Sequence, residues 1–159
     1  MLKSASILSA AVLAVAGLSS PAMAQSISPA GASFSLSGSL NLQQSTNIDC
    51  NVSLSGSVAS DGKSATITGG SFSGGDWQCG FLVAPSGFPW TITPNGGSSV
   101  TIAGIGASSI LGSCNGTISA TWNNGSPSSV TISTATIPGS PSTCVIDGTL
   151  TSSPNLTVS

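Results

Sequence analysis

The segment from Cys50 to Cys79 occurs twice in the chain. Its sequence, CNVSLSGSVASDGKSATITGGSFSGGDWQC, aligns with CNGTISATWNNGSPSSVTISTATIPGSPSTC from Cys114 to Cys144. From the front, Cys50-Asn51-Val52-Ser53-Leu54 lies on Cys114-Asn115-Gly116-Thr117-Ile118 without a gap. From the back, Ala65-Thr66-Ile67-Thr68 lies on Val130-Thr131-Ile132-Ser133, and Phe72 lies on Ile137. One extra residue near the central turn absorbs the difference in length. Pro89 and Pro154 each follow the second cysteine of their copy by ten residues, so the likeness runs on beyond the bridged segment. The duplicated unit is about 65 residues, too long for a solenoid repeat and suited to half of a two-sheet domain.

Within each copy the apolar residues alternate. Val52, Leu54 and Val58 share one parity, Asp61-Gly62 then turns the chain, and Ala65 and Ile67 continue on the far side. A period of two followed by a turn dipeptide predicts a β-hairpin over Asn51 to Thr68. The parity then slips, because Ile67 to Phe72 is a five-residue step. Ile132 to Ile137 repeats that step, and a β-bulge or strand break at both places is the simplest account. The second hairpin runs from Gly116 to Trp122, turns at Asn123-Asn124-Gly125, and returns from Val130 to Ile132. Phe88 to Thr93 and Val100 to Ile102 flank the turn Pro94-Asn95-Gly96-Gly97 as another strand pair, and Asn155 to Val158 is a candidate last strand. No window carries helical periodicity. Residues 25–159 therefore read as a single all-β domain: a disulfide-stapled β-sandwich, or flattened barrel, built from two duplicated halves.

The N-terminus reads as an export signal. Met1-Leu2-Lys3, the apolar run Ile7 to Leu18 and the ending Ala22-Met23-Ala24 predict a signal peptide over residues 1–24. The run is shorter than the roughly 20 residues of a membrane span, so no transmembrane segment is expected. Export makes the cysteines legible, since an even number in an oxidising compartment forms disulfides. The repeat favours Cys50–Cys79 and Cys114–Cys144, each closing a loop of about 30 residues and contributing on the order of 3–4 kcal/mol. A zinc site is the competing reading. It fits poorly, because the chain has no CxxC pair and no histidine.

Charge is nearly absent: residues 25–159 hold one cation, Lys63, and the anions Asp49, Asp61, Asp76 and Asp147. Nucleic-acid binding needs clustered Lys and Arg, so that class is excluded. Acid–base and nucleophilic catalysis need a base that this composition hardly supplies. No cofactor and no metal is expected; a calcium site from the aspartates near the cysteines is conceivable but lacks a recognised spacing. Asp61 reads as a turn former. Phe72 and Trp122 read as core. The Pro- and Gly-punctuated stretch Phe81 to Trp90 is the candidate exposed apolar loop, with Phe81, Leu82, Val83, Phe88, Pro89 and Trp90 making contact.

Several of these stretches together resemble a known family. Ser28-Pro29-Ala30-Gly31, Cys50-Asn51-Val52, Ala59 to Thr68, Phe72-Ser73-Gly74-Gly75, Pro89 to Pro94, Gly112-Ser113-Cys114 and Thr121-Trp122-Asn123-Asn124 are similar to the small secreted protein activators of alkane oxidation, the PraB-like proteins. The resemblance covers nearly all of residues 25–159, and its motifs are structural rather than catalytic. It implies a secreted, extracellular or cell-surface, non-enzymatic protein that promotes use of alkanes without being the oxygenase. The expected partner is then an apolar surface or alkane droplet. The alternative is a structural subunit of an extracellular filament, fimbria or biofilm-matrix adhesin, whose partner is a copy of itself. In that case Phe34, Leu36, Leu40 and Leu42 mark a candidate donor strand that completes a neighbour's sheet.

Overall fold

The structure, a computed structural model, describes residues 24–159. The apolar run Ile7 to Leu18, expected to be part of a signal peptide, lies outside them. The described residues form twelve strands: β1 (Ile27–Ser28), β2 (Ser33–Gln43), β3 (Asn47–Val58), β4 (Ala65–Gly75), β5 (Val83–Pro85), β6 (Trp90–Gly96), β7 (Ser99–Ser109), β8 (Gly112–Asn123), β9 (Ser129–Ile137), β10 (Gly139–Ser140), β11 (Cys144–Ser153) and β12 (Thr157–Val158). Both expected hairpins are present, as β3–β4 and β8–β9. At the first turn Gly62 has φ +70°, and the Lys63 amide donates to Asp61 Oδ1 at 3.0 Å. Asp61 is thus the turn former that its Asp-Gly dipeptide indicates.

Eight of the strands close on themselves in the order β2-β3-β4-β6-β7-β8-β9-β11, with β11 returning to β2. Every pairing in the ring is antiparallel. The ring divides into β2-β3-β4-β6 and β7-β8-β9-β11, which are the two halves of the sequence repeat. The expected sandwich or flattened barrel is therefore a closed eight-stranded barrel, in which every ring strand is paired on both sides over at least part of its length.

Alternation sorts the residues across the wall. Phe34, Leu36 and Leu40 of β2 point inward beside Val52 and Leu54 of β3, Ile67 and Phe72 of β4, and Trp122, Val130, Ile132 and Leu150 opposite, all buried. Outward positions are mostly hydroxyls in cross-strand rows. Ser71, Ser53, Ser37, Thr151 and Ser129 make one row, and Ser73, Asn51, Ser39, Thr149 and Thr131 make the next. The Thr131 and Thr149 hydroxyls bond to each other at 3.0 Å. Gly38 takes an inward position where a Cβ would fall on the Thr149 carbonyl oxygen and come within 3.2 Å of the Leu150 side chain. The close approach of β2 and β11 needs a residue without a side chain there.

The ring is not uniform along its length. β4 pairs with β6 only at Ala65, Thr66 and Ile67, and β9 pairs with β8 only at Ser129, Val130 and Thr131. Both seams stop where the five-residue step begins. Across β3–β4 the register shifts between Ser55 and Gly56, leaving Thr68 as the extra residue. In the second copy the shift lies opposite Asp147, and Thr134 takes a positive φ of 44°. The expected bulges are thus real, and above them the two walls part.

The lower end is sealed. β1 pairs with β12 as a small separate sheet, burying Ile27, Leu156 and Val158. The indole N–H of Trp122 donates to the Leu156 carbonyl at 3.2 Å, and the Asn124 side chain makes both bonds to the Val158 backbone, at 2.7 and 2.8 Å. The buried hydroxyl of Ser128 accepts from the Leu156 amide at 2.9 Å. The tail is therefore a strand, as expected, though it serves as a lid rather than as a stave. Replacing Leu156 with Ala should cost about 2–5 kcal/mol, the usual loss for a buried leucine that leaves a cavity. Urea unfolding measures it; a loss below about 0.5 kcal/mol would mean that the lid does not close the core.

Candidate functional site

The upper end of the barrel carries the connections β2–β3, β4–β6, β7–β8 and β9–β11. Both disulfides lie here, paired as the repeat indicates: Cys50–Cys79 with Cα atoms 5.6 Å apart and Cys114–Cys144 with Cα atoms 6.1 Å apart. Cys114 belongs to β8 and Cys144 opens β11, so this bridge crosses the parted β8–β9 side of the ring. Cys50–Cys79 anchors the connection that follows β4. That connection is a tight turn, with the Cys79 amide bonded to the Asp76 carbonyl at 3.0 Å and the Leu82 amide to the Gln78 carbonyl at 2.8 Å. It leads into β5, which pairs with the upper end of β7. Each parted seam thus has one disulfide beside it, and on the second side β10 also pairs with the upper end of β8, Gly139 with Cys114 and Ser140 with Ser113.

Between the parted walls is a cavity of about 240 Å3. Leu40, Phe72, Trp90, Ile105, Ile137 and Ile146 form its deeper wall, and Trp77, Ile110 and Leu111 stand at its rim. Its lining contains no charged residue. Gln78 lines it too, and Gln78 Oε1 is, among the described residues, a buried side-chain oxygen without a hydrogen-bond partner.

Among the described residues, four large apolar residues are exposed, and all four sit on the upper connections: Trp77 (74 %), Phe81 (92 %), Ile110 (79 %) and Leu111 (66 %). Their clustering at one end differs from the scattered single apolar residues of ordinary surfaces. The candidate contact loop is only partly of this kind. Phe81 is fully presented, and Leu82 lines the cavity. Trp90 is instead buried, 2 % exposed, which corrects its assignment to an exposed loop. It opens β6 on the inward parity with Ile92, its N–H donates to the Ser86 carbonyl at 2.9 Å, and its ring stacks on Phe88 at 4.6 Å. Val83, in β5, and Phe88, stacked on Trp90, are partly buried against the core, and Pro89 is exposed. Trp77, Ile110 and Leu111 were not among the expected contact residues. A signal for the last two exists: a large apolar pair in a turn, between Ser108-Ser109 and Gly112.

The candidate donor strand is β2. Phe34, Leu36 and Leu40 face this barrel's own core, Leu42 lines the cavity, and β2 is paired on both edges, with β3 and with β11. Donation to a neighbour would require the ring to open first. The aspartates flanking the cysteines are partly brought together on the outside. Asp49 and Asp76 exchange backbone and carboxylate bonds at 2.8 and 2.9 Å, and Asn41 Nδ2 donates to Asp49 Oδ1 at 2.9 Å. Asp147 lies across β2 from them, opposite Asn41. Among the described residues, no group of three or more His, Cys, Asp or Glu is placed to hold a metal ion.

An end that offers apolar surface and an apolar cavity agrees in kind with the family comparison. Residues 1–159, the whole chain, match the family described as alkane oxidation protein activator PraA/PraB-like. The chain belongs to this family. No curated protein and no solved structure matches it. As a member of the PraA/PraB-like activators it is of a general activator kind, and the motifs that carried the resemblance now have structural roles. Cys50 and Cys114 are bridged, Ala59 to Thr68 is the first hairpin turn with its flanks, and Trp122-Asn123-Asn124 holds the lid.

Replacing Cys114 and Cys144 together with Ser should cost about 2–4 kcal/mol in chemical unfolding. Amide exchange should rise first along Gly116–Ala120 of β8, where the ladder to β9 is missing. Uniform loss of protection over both ends would show that the bridge does not govern the upper seam.

Proposed function

We propose that this PraA/PraB-like protein is exported and acts outside the cell, without catalysis of its own, by applying its upper end to an apolar surface such as an alkane droplet. The observation that carries the reading is the gathering of Trp77, Phe81, Ile110 and Leu111 on the connections at one end. Large apolar side chains each contribute about 1.5–3 kcal/mol when removed from water, so four of them are worth on the order of 5–10 kcal/mol at an oil surface. The rest of the exterior supports the same orientation. Its hydroxyl rows remain hydrated, and the sole cation among the described residues, Lys63, lies at the opposite end. A barrel of this form meets oil with one end and water with its wall.

A filament or adhesin subunit has less support, because both edges of β2 are occupied within its own ring.

The test is adsorption at a hexadecane–water interface, followed by interfacial tension. Changing Trp77, Phe81, Ile110 and Leu111 to Ser should reduce adsorption at least tenfold without changing the unfolding midpoint. In a strain lacking the protein, the wild type should restore growth on alkane while the fourfold variant should not, and growth on succinate should be equal throughout. Undiminished adsorption, or full rescue by the variant, would reject the reading.

A further inference from the structure

We infer that the upper cavity binds a single linear aliphatic molecule ending in a hydroxyl, a medium- or long-chain primary alcohol, with its chain between the parted walls and its hydroxyl at Gln78. This goes beyond contact with a droplet: it concerns the interior of the barrel and one molecule at a time. It uses the same end as the interfacial reading but does not depend on it.

Size narrows the ligand first. At about 240 Å3 the cavity exceeds the roughly 150 Å3 apolar cavity that accommodates a benzene. It is smaller than the roughly 300–1,000 Å3 pockets that take drug-sized molecules. An eight-stranded barrel has room for one small ligand where side chains do not fill it. Here the filling stops at Trp90 and Phe72, and the walls above are held apart by the bulges. The lining then selects chemistry. Leu40, Ile105, Ile137 and Ile146 offer only dispersion contacts, which suit methylene groups.

Gln78 adds the polar requirement. A buried amide oxygen without a partner is costly, and a ligand that supplies a hydrogen bond recovers that cost. A hydroxyl both donates and accepts, so it serves the amide in either orientation. A plain alkane leaves the oxygen unpartnered. A carboxylate carries no proton to give it and finds no cation in the lining, so its burial is disfavoured. Gln78 is also held in place, since it precedes Cys79 of the Cys50–Cys79 bridge and its carbonyl receives the Leu82 amide. A primary alcohol is an alkane with one oxygen inserted at a terminal C–H bond. The cavity therefore favours the first oxidised form of the chain over the hydrocarbon.

The experiment is equilibrium partition of 1-octanol, octane and octanoate into the oxidised wild-type protein, read by headspace analysis for the volatile pair and by tryptophan fluorescence for all three. Saturable 1:1 binding of 1-octanol is expected, about three- to tenfold tighter than octane, the usual scale of one neutral hydrogen bond. Octanoate should bind weakest at neutral pH. Gln78→Leu should remove the preference for 1-octanol and leave octane binding unchanged or tighter. Ala107→Phe, which puts a ring into the cavity wall, should abolish uptake of both; Ala107→Leu is the milder filling change if the first variant unfolds at a lower urea concentration. Phe81 does not line the cavity. Phe81→Ser should therefore lower adsorption to hexadecane and leave 1-octanol uptake intact. Lack of saturable 1-octanol binding by a wild type that still adsorbs to oil would overturn this inference and leave the interfacial reading standing. Equal binding of octane and 1-octanol, or uptake indifferent to the Ala107 changes, would overturn it as well.

Discussion

Two extra residues decide the shape of this molecule. A β-ladder cannot absorb an additional residue without bending the strand and shifting its side chains to the other face. In β4 and in β9 the insertion comes at the same place in the repeat, one strand-width above the lower turns. Below it, each of these strands is hydrogen-bonded on both sides. Above it, each keeps one neighbour and leaves the other. The barrel is therefore a closed cylinder at its foot and two diverging walls at its head. The separation of a sealed foot from an apolar head along one axis follows from that.

The disulfides then take on a positional meaning. A seam without a ladder is the weakest part of a β-structure, because its backbone groups are exchanged with water and its walls are joined only by side-chain packing. Cys114–Cys144 and the turn anchored by Cys50–Cys79 supply covalent restraint beside the stretches where the β4–β6 and β8–β9 ladders stop. This also accounts for the even spacing of the cysteines in the repeat, since each copy carries its own opening and its own bridge. A cavity can persist there without collapse because the walls are held by bonds that do not depend on filling it.

What was legible in the chain was mostly local. Alternation from Val52 to Val58, the Asp61-Gly62 turn and the matching cysteines led to the hairpins and pairings, and the five-residue steps led to the bulges. The turn and the bulges lie within a dozen or so residues of their signals, while the cysteine pairs, 29 and 30 residues apart, were legible only through the repeat. The closure of β11 on β2 was not legible. Sequence-distant partners leave no local mark, and the same alternation suits an open sandwich. The aromatic residues show the same limit from another side. Trp90 and Trp77 are chemically alike, yet one begins a strand on its inward parity and the other follows the end of β4 on an anchored turn. Only the register of β6 against β4 and β7 distinguishes them. Ile110 and Leu111 owe their exposure to their place in the β7–β8 turn, which aromatic content does not mark.

The pairing of β1 with β12 has a consequence for how the molecule is presented. Ser26 and Ser159 exchange both backbone hydrogen bonds, so these two residues lie side by side. They do so at the foot, a full strand length from the apolar head. A tether, fusion partner or solid support attached at Ser26 or Ser159 would hold the molecule by its base and point the head away from the attachment. Joining Ser26 to Ser159 with a short linker, and cutting the chain in the β7–β8 turn instead, would give a permuted molecule with the same ring of strands and its new ends beside the cavity mouth.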